Sequence, residues 1–373
     1  MKILEITNVD FSMRQFLFPL MLALRGQGHD VVGACADGAL LDAMRAEGLR
    51  VVAVPMSRTL SPLAQWRAWR ALVRLIRAEK PDLVHAHMPI SGLLGRFAAW
   101  RCGVPCVAYT CHGFLFNQPG SRLRRVAALV LEWLAGKVTD IYLTVSEEEA
   151  RDARRLGIHH RAAGIGNGRD PAIFHPDPTV RTHLRAQMGV TEGQVVILAV
   201  SRLVRSKGYP ELLAAMRAVP DNAALWIVGE RLPSDRGEDL EPYFAAARAV
   251  LGSRLVFLGY REDVAAIMAA ADIFVLPSHF EGLPMSVIEA MLCGLPVVAT
   301  DISGPREQVV AGETGLLVPP ANVPGLETAL ARLVADDALR QRMGRAGRAR
   351  AMACYTQDRV MARILALLTV HQG

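Results

Sequence analysis

The chain has 373 residues, of which 51% are hydrophobic and 21% charged, with its glycines and prolines scattered rather than clustered. That balance excludes a disordered or low-complexity protein and exceeds what one core usually holds, so two domains are expected. A formal net charge of +6 favours anionic partners such as nucleotide diphosphates, lipid phosphates or an anionic membrane face without choosing among them, and nucleic acid has the least support.

In chain order, short apolar strands alternate with amphipathic helices, the pattern of parallel sheets covered on both faces. Met1-Lys-Ile-Leu-Glu-Ile-Thr7 reads as a strand start carrying a carboxylate, not as a signal peptide. Strands are expected at Lys2 to Thr7, Asp30 to Ala36, Arg50 to Val54, Leu83 to Ala86, Cys106 to Thr110 and Ile141 to Val145. Helices are expected at Gln15 to Gln27, after the polar loop Asn8-Val-Asp-Phe-Ser12, at Leu63 to Glu79 and at Ser121 to Lys137. Asn167-Gly-Arg-Asp170-Pro, with Phe174-His-Pro-Asp-Pro178 behind it, is the best linker candidate.

Strands recur beyond it at Val195 to Ser201, Ala224 to Val228, Leu255 to Leu258, Ile273 to Leu276, Pro296 to Thr300 and Gly315 to Val318. Between and after them come helices at Tyr209 to Val219, Glu241 to Leu251, Val264 to Ala271, Pro284 to Leu292, Pro324 to Ala335 and Asp337 to Cys354. The fold class is therefore α/β: two Rossmann-like doubly wound domains, 1–165 and 166–354, facing a central cleft, with a C-terminal helix at about 355–373 packing back on the first. No apolar run reaches the roughly 18 to 20 residues of a spanning helix.

Glu281-Gly-Leu-Pro-Met-Ser-Val-Ile-Glu289 carries the most chemistry. Two carboxylates bracket a Gly-Leu-Pro break, and the helix that follows would offer its free N–H groups to a diphosphate. A capped surface helix would look similar, but Arg202 and Lys207, after the strand Val195 to Val200 and ahead of Gly208, stand where phosphate ligands sit at the mouth of a parallel sheet. They supply cationic charge for a leaving nucleoside diphosphate, and Glu289 can accept from ribose hydroxyls. His85 and His87 form an i, i+2 pair with no evident third ligand and read as strand-end residues shaping a cleft. His112 closes a strand ahead of Gly113. Six cysteines, Cys35, Cys102, Cys106, Cys111, Cys293 and Cys354, make no Cys-x-x-Cys pair, so reduced structural thiols of a cytosolic protein are expected rather than zinc.

The order Arg-x4-Lys-Gly, Val-Gly-Glu, Phe-Leu-Gly-Tyr, Asp-Ile-Phe-Val-Leu-Pro-Ser, Glu-x7-Glu and Gly-Leu-Pro-Val resembles the retaining family 4 glycosyltransferases of the GT-B fold. The likeness spans essentially the whole chain and is densest from Gly164 to Pro320. It implies that Arg202 and Lys207 clamp the diphosphate, that Glu289 holds the ribose, and that Glu281 with the backbone of Gly282, Leu283, Pro284, Met285 and Ser286 contacts the donor sugar. The backbone around Tyr260 and Arg261 would face the base, and His112 would contact the sugar from the first domain. Many members carry Gly-Gly in the first strand-to-helix loop. Here that loop is Asn8-Val-Asp10-Phe-Ser12, similar to a subgroup in surface polysaccharide and lipid-linked oligosaccharide assembly that also shares a segment like Arg58-Thr-Leu-Ser-Pro62. Asp10 and Ser12 are then acceptor-side residues.

The expected reaction moves a hexose or N-acetylhexosamine from a UDP-linked donor to a hydroxyl of a glycan or polyprenyl-diphosphate acceptor with retention. No Asp-x-Asp pair marks a strand end, so no essential metal and no cofactor are expected, protein cations taking a divalent ion's place. Front-face attack, with the departing phosphate oxygen taking the acceptor proton, fits the lack of a well-placed nucleophile, with Glu281 as the alternative nucleophile. The rivals are a non-hydrolysing UDP-sugar epimerase, which needs further carboxylates facing C2, and a non-catalytic sugar-nucleotide sensor. Phe114 and Phe116 beside Arg122, Arg124 and Arg125 admit two readings: core contact with a solvated helix start, or an interfacial site at the inner face of the plasma membrane. Helix Leu63 to Ile76, with Trp66 and Trp69 among arginines, carries the same ambiguity.

Overall fold

The computed structural model describes residues 1–56, 61–118, 120–231, 235 and 237–369. The chain divides into two compact units: Met1–Gly166 with the C-terminal residues from Met361, and Asn167–Val360. The first unit holds β1 (Lys2–Ile6), β2 (Asp30–Cys35), β3 (Arg50–Ala53), β4 (Leu83–His87), β5 (Cys106–Cys111), β6 (Ile141–Thr144) and β7 (Ala163–Gly164). They lie in the order β3-β2-β1-β4-β5-β6-β7, all parallel.

The second unit repeats the plan with β8 (Val195–Val200), β9 (Ala223–Val228), β10 (Leu255–Gly259), β11 (Ile273–Leu276), β12 (Val297–Thr300) and β13 (Gly315–Val318), in the order β10-β9-β8-β11-β12-β13. Both sheets reverse winding beside their first strand, between β1 and β4 and between β8 and β11. A doubly wound sheet opens a crevice at the strand C-termini there, and His85 and His87 stand at the end of β4 while Lys207 and Glu281 follow β8 and β11.

The twelve expected strands stand within one residue of their expected ends, because central parallel strands are apolar on both faces and read as runs of Val, Ile and Leu. Among the described residues, helices Leu40–Ala46, Pro89–Cys102, Glu147–Arg155 and Pro178–Gln187 are present without having been expected. In Pro89–Cys102 the obstacle is composition, since Gly92 and Gly95 weaken a helical reading. Gly92 is there for packing: a Cβ on it would fall 2.2 Å from the Tyr109 ring. Helix Tyr209–Ala215 stops short of the expected Val219.

The first helix also departs from expectation. It starts at Asp10 rather than Gln15 and runs through Asp10–Ser12, a π-helical Met13–Leu17 and Phe18–Gly26, so the polar loop is in fact its first turn. The C-terminal helix is Gln357–Thr369, and the Arg363 guanidinium donates to the carbonyl of Ile165 at 2.9 Å. Among the described residues no helix is long and apolar enough to cross a membrane.

Candidate active site

In the second unit, the turn after β8 carries Arg202, Arg205 and Lys207. Gly208 closes it at φ +75, where a Cβ would fall 2.0 Å from the carbonyl oxygen of Pro277. Glycine is thus what lets the β8 turn press against the chain leaving β11. The His279 N–H, donating to the Ser206 carbonyl at 2.8 Å, fixes the same approach. The result brings Lys207 Nζ to 2.6 Å from Glu281 Oε1, both largely buried. Arg202 is half exposed and pairs with Asp235.

The Gly282–Pro284 break is held from three sides. Asn167 Nδ2 donates to Leu283 O at 2.7 Å, Gln308 Nε2 donates to Pro284 O at 2.9 Å, and a Cβ on Gly304 would sit 2.0 Å from Gly282 O. Helix Met285–Leu292 begins at Pro284, and among the described residues no side chain caps it. The N–H groups of Met285 and Ser286 therefore have no side-chain acceptor, as at a helix start that can receive an anion. Glu289, one turn inside, is buried and takes the Arg169 Nε–H at 2.5 Å, which leaves one carboxylate oxygen outside that pair.

Asn167 and Arg169 come from the stretch expected to be a linker, and they are instead structural parts of this site. Their partners lie more than a hundred residues on, so nothing local announces them. Arg205 was also missed: it forks onto Glu211 at 2.8 and 2.7 Å, with His279 Nε2 3.2 Å from the same carboxylate. Tyr260 is exposed, and Arg261 pairs with Asp263 at 2.7 and 2.6 Å. These two stand apart from the Lys207–Glu281 contact in the hydrogen-bond pattern.

In the first unit, β1 and β4 pair Glu5 with His85, and β4 and β5 pair His87 with Thr110. With side chains alternating along each strand, Glu5, His85 and His87 share one face. Glu5 Oε1 lies 3.1 Å from His85 Nδ1, and Oε2 lies 2.8 Å from His87 Nε2. His85 Nε2 lies 2.8 Å from Thr110 Oγ1, and His87 Nδ1 3.4 Å from His112 Nε2. The His112 ring also meets Phe16, from the π-helical segment, with centroids 5.9 Å apart.

So the histidine pair does have a third partner, Glu5, contrary to expectation, and it is sealed from solvent. The contacts are hydrogen-bond lengths, shorter than the roughly 3.4 Å between ligands around a tetrahedral ion at 2.1 Å, and the cluster is a polar network. Burial alone would raise the Glu5 carboxyl, but the charge and hydrogen bonds of His85 and His87 hold it down at about 2. Burial, with the neighbouring histidines, lowers His87 to about 4 and His112 to about 3. At neutral pH the carboxylate is ionised and both of these rings are neutral.

Asp10 is engaged by the backbone. One oxygen takes the Phe11 N–H at 2.7 Å and the other the Leu40 N–H at 3.3 Å, so the side chain ties the first helix to the helix at Leu40. Ser12 is buried. The segment at Arg58 lies outside the described residues. Phe114 and Phe116 are 1% and 8% exposed and stack on each other, which corrects the reading of them as exposed aromatics. All six cysteines are free, and burial pushes Cys35 and Cys293 up to about 12, far from thiolate chemistry.

Residues 13–168 match the family model of the glycosyl transferase 4-like domain, and residues 180–350 that of the glycosyl transferases group 1. The GDP-mannose-dependent alpha-(1-6)-phosphatidylinositol monomannoside mannosyltransferase of Mycolicibacterium smegmatis is 33% identical over 276 residues, 69% of this chain and 68% of that protein. This chain belongs to the family 4 glycosyltransferases. Another relative of this glycosyltransferase is the UDP-Gal:alpha-D-GlcNAc-diphosphoundecaprenol alpha-1,3-galactosyltransferase of Escherichia coli, 29% identical over 333 residues, 85% of this chain and 83% of that one. Among solved structures, Alr3699/HepE of Anabaena, crystallised with UDP and glucose, superposes with a TM-score of 0.84 at 23% identity, over 99% of this chain and 100% of that one. The glycosyltransferase has the GT-B fold.

Proposed function

We propose that this enzyme transfers a hexose or N-acetylhexosamine from a UDP-sugar to a hydroxyl of a glycan or polyprenyl-diphosphate-linked acceptor, with retention, in cell-surface polysaccharide assembly. The observation that supports the reading is the contact of Lys207 with Glu281 just ahead of the uncapped start of helix Met285–Leu292, with Arg202 on the same turn after β8 as Lys207. Two cations on one turn and a helix N-terminus following Glu281 suit a diphosphate that gains charge as the glycosidic bond breaks. Glu281 holds Lys207 until a phosphate shares it, and with the backbone of Gly282 to Met285 it meets the sugar. Glu289, steadied by Arg169, accepts from the ribose. The departing phosphate oxygen takes the acceptor proton. His112 is a further contact to the sugar.

The choice of UDP follows the Escherichia coli relative, whose name specifies a UDP-linked donor and a diphosphoundecaprenol-linked acceptor. The mycobacterial relative is named for GDP-mannose, so the base is the point to test. Thermal shift against UDP, GDP and a panel of their sugars reads it directly, because ligand stabilises by RT ln(1 + [L]/Kd). Stabilisation by UDP and one UDP-sugar, with transfer from that sugar to a diphosphate-linked acceptor, is the expected result. A larger shift with GDP sinks the UDP assignment, and hydrolysis or epimerisation without transfer sinks the reaction.

The enzyme also works, on this reading, at the cytosolic membrane face. Helix Arg122–Gly136 turns Leu123, Val126, Val130, Leu131, Trp133 and Leu134 to solvent, with Leu123 81% and Val126 57% exposed, beside exposed Arg122 and Arg124. An apolar helix face flanked by arginines suits an anionic lipid interface. Arg125 is partly spent, its Nε–H donating to Phe116 O at 2.7 Å.

A further inference from the structure

The network at the β1/β4 reversal determines where its protons sit. Glu5 is wholly buried and accepts from both His85 and His87. An ionised carboxylate has only lone pairs to offer, so His87 must carry its proton on Nε2. A neutral imidazole has one N–H, which leaves His87 Nδ1 as an acceptor. The atom facing it at 3.4 Å is His112 Nε2, which must then be the donor. His112 Nδ1 is left as a bare lone pair. His85 does not disturb this order, because its far nitrogen meets Thr110 Oγ1, a hydroxyl that can donate or accept.

We propose that Glu5 is a positioning residue: acting through His87, it locks His112 in the Nε2–H tautomer and so makes Nδ1 an acceptor for a hydroxyl of the bound sugar or acceptor. The proposal rests on the reading of His112 as a substrate contact. A buried polar cluster with a purely architectural role would not need one particular proton order, whereas a histidine that must receive a hydroxyl hydrogen does. The strand register explains why the lock is rigid. Glu5 and His85 are paired across β1 and β4, and Ser91 Oγ–H donates to the His87 carbonyl at 2.5 Å, holding the end of β4.

The full-length protein, labelled with 15N in its histidines, tests this through long-range 15N–1H spectra, which distinguish protonated from bare ring nitrogens. His112 and His87 signals are assigned by loss in His112→Gln and His87→Gln. In the wild type, both rings are expected as single Nε2–H tautomers, and a proton on His112 Nδ1 overturns the proposal. Glu5→Leu removes the acceptor, so His112 is expected to become a mixture of tautomers, with kcat down at least ten-fold and UDP affinity unchanged. A folded Glu5→Leu that keeps both tautomer and turnover overturns it. If Glu5→Leu does not fold, Glu5→Gln serves: one acceptor and one donor must reverse either His85 or His87, and turnover is expected to fall only if His87 reverses. Reversal of neither, or a turnover loss with His87 and His112 unchanged, contradicts the proposal. Transfer by His112→Ala at wild-type rate would instead refute the substrate contact, leaving the spectra to decide the tautomer.

Discussion

The two sheets share a strand order and reverse at the same place, yet the first unit fills its reversal with a sealed network and the second with ion pairs open to exchange. Glu5, His85 and His87 are buried and satisfy one another, so their geometry and protons are costly to change. Lys207, Arg202 and Arg205 each hold a carboxylate from a partly solvated position. A cation so placed can be shared with a stronger anion such as a diphosphate. One reversal is made for orienting, the other for binding charge.

That contrast is broken most severely at Lys207. Lys207→Ala removes a cation whose contact strengthens as the diphosphate departs, and turnover is expected to fall by roughly two orders of magnitude with folding intact. Steady-state assay with a circular dichroism control checks it, and near-wild-type turnover removes Lys207 from the chemistry. At Glu289 the effect is on binding: Glu289→Gln or Arg169→Ala is expected to weaken UDP by about ten-fold in calorimetric titration, the scale of one charge-assisted hydrogen bond. A defect in transfer with UDP affinity unchanged would contradict a ribose contact.

Much of this was legible in the sequence, for a reason particular to each element. The strands were legible because they are apolar throughout, and Arg202, Lys207, Glu281 and Glu289 because strand ends and helix starts are local features. Glu5 was visible only as a carboxylate in a strand; its partners are 80 and 82 residues away and become neighbours through strand order alone. Arg169 hid in a turn-rich stretch and meets Glu289 120 residues later. Phe114 and Phe116 beside arginines admitted a core and an interfacial reading alike, because the burial that decides for the core belongs to the fold rather than to composition. The start of the first helix was placed late because Asn8 to Ser12 reads as a polar loop, whereas Asp10–Ser12 is already helical.

The sealed network also sets an acid limit. Glu5 is held below its usual range, and His87 and His112 below theirs. All three groups bind protons more weakly when folded, so each contributes stability above its unfolded pKa and loses it as pH falls. For the histidines the loss runs from about 6.5 down to about 4 and about 3, and for Glu5 it continues to about 2. Melting followed across this window is expected to show Tm dropping below pH 6.5, with a shallower slope in His112→Asn. A flat profile from pH 7 to 4 would mean that the rings are not held neutral.

The last effect expected is at the helix Arg122–Gly136. Arg122→Glu with Arg124→Glu removes about 1 kcal/mol per residue of attraction to an anionic surface, and co-sedimentation with anionic vesicles should fall and weaken with salt. Indifference to lipid charge would return this helix to an ordinary surface.

The division of labour between the two reversals is tested most directly by amide hydrogen exchange with and without UDP. The account predicts slowed exchange in Ser201 to Gly208 and Gly282 to Ser286, with β1 and β4 unchanged around Glu5, His85 and His87. Protection centred on β1 and β4, with the turns after β8 and β11 unaffected, would contradict it.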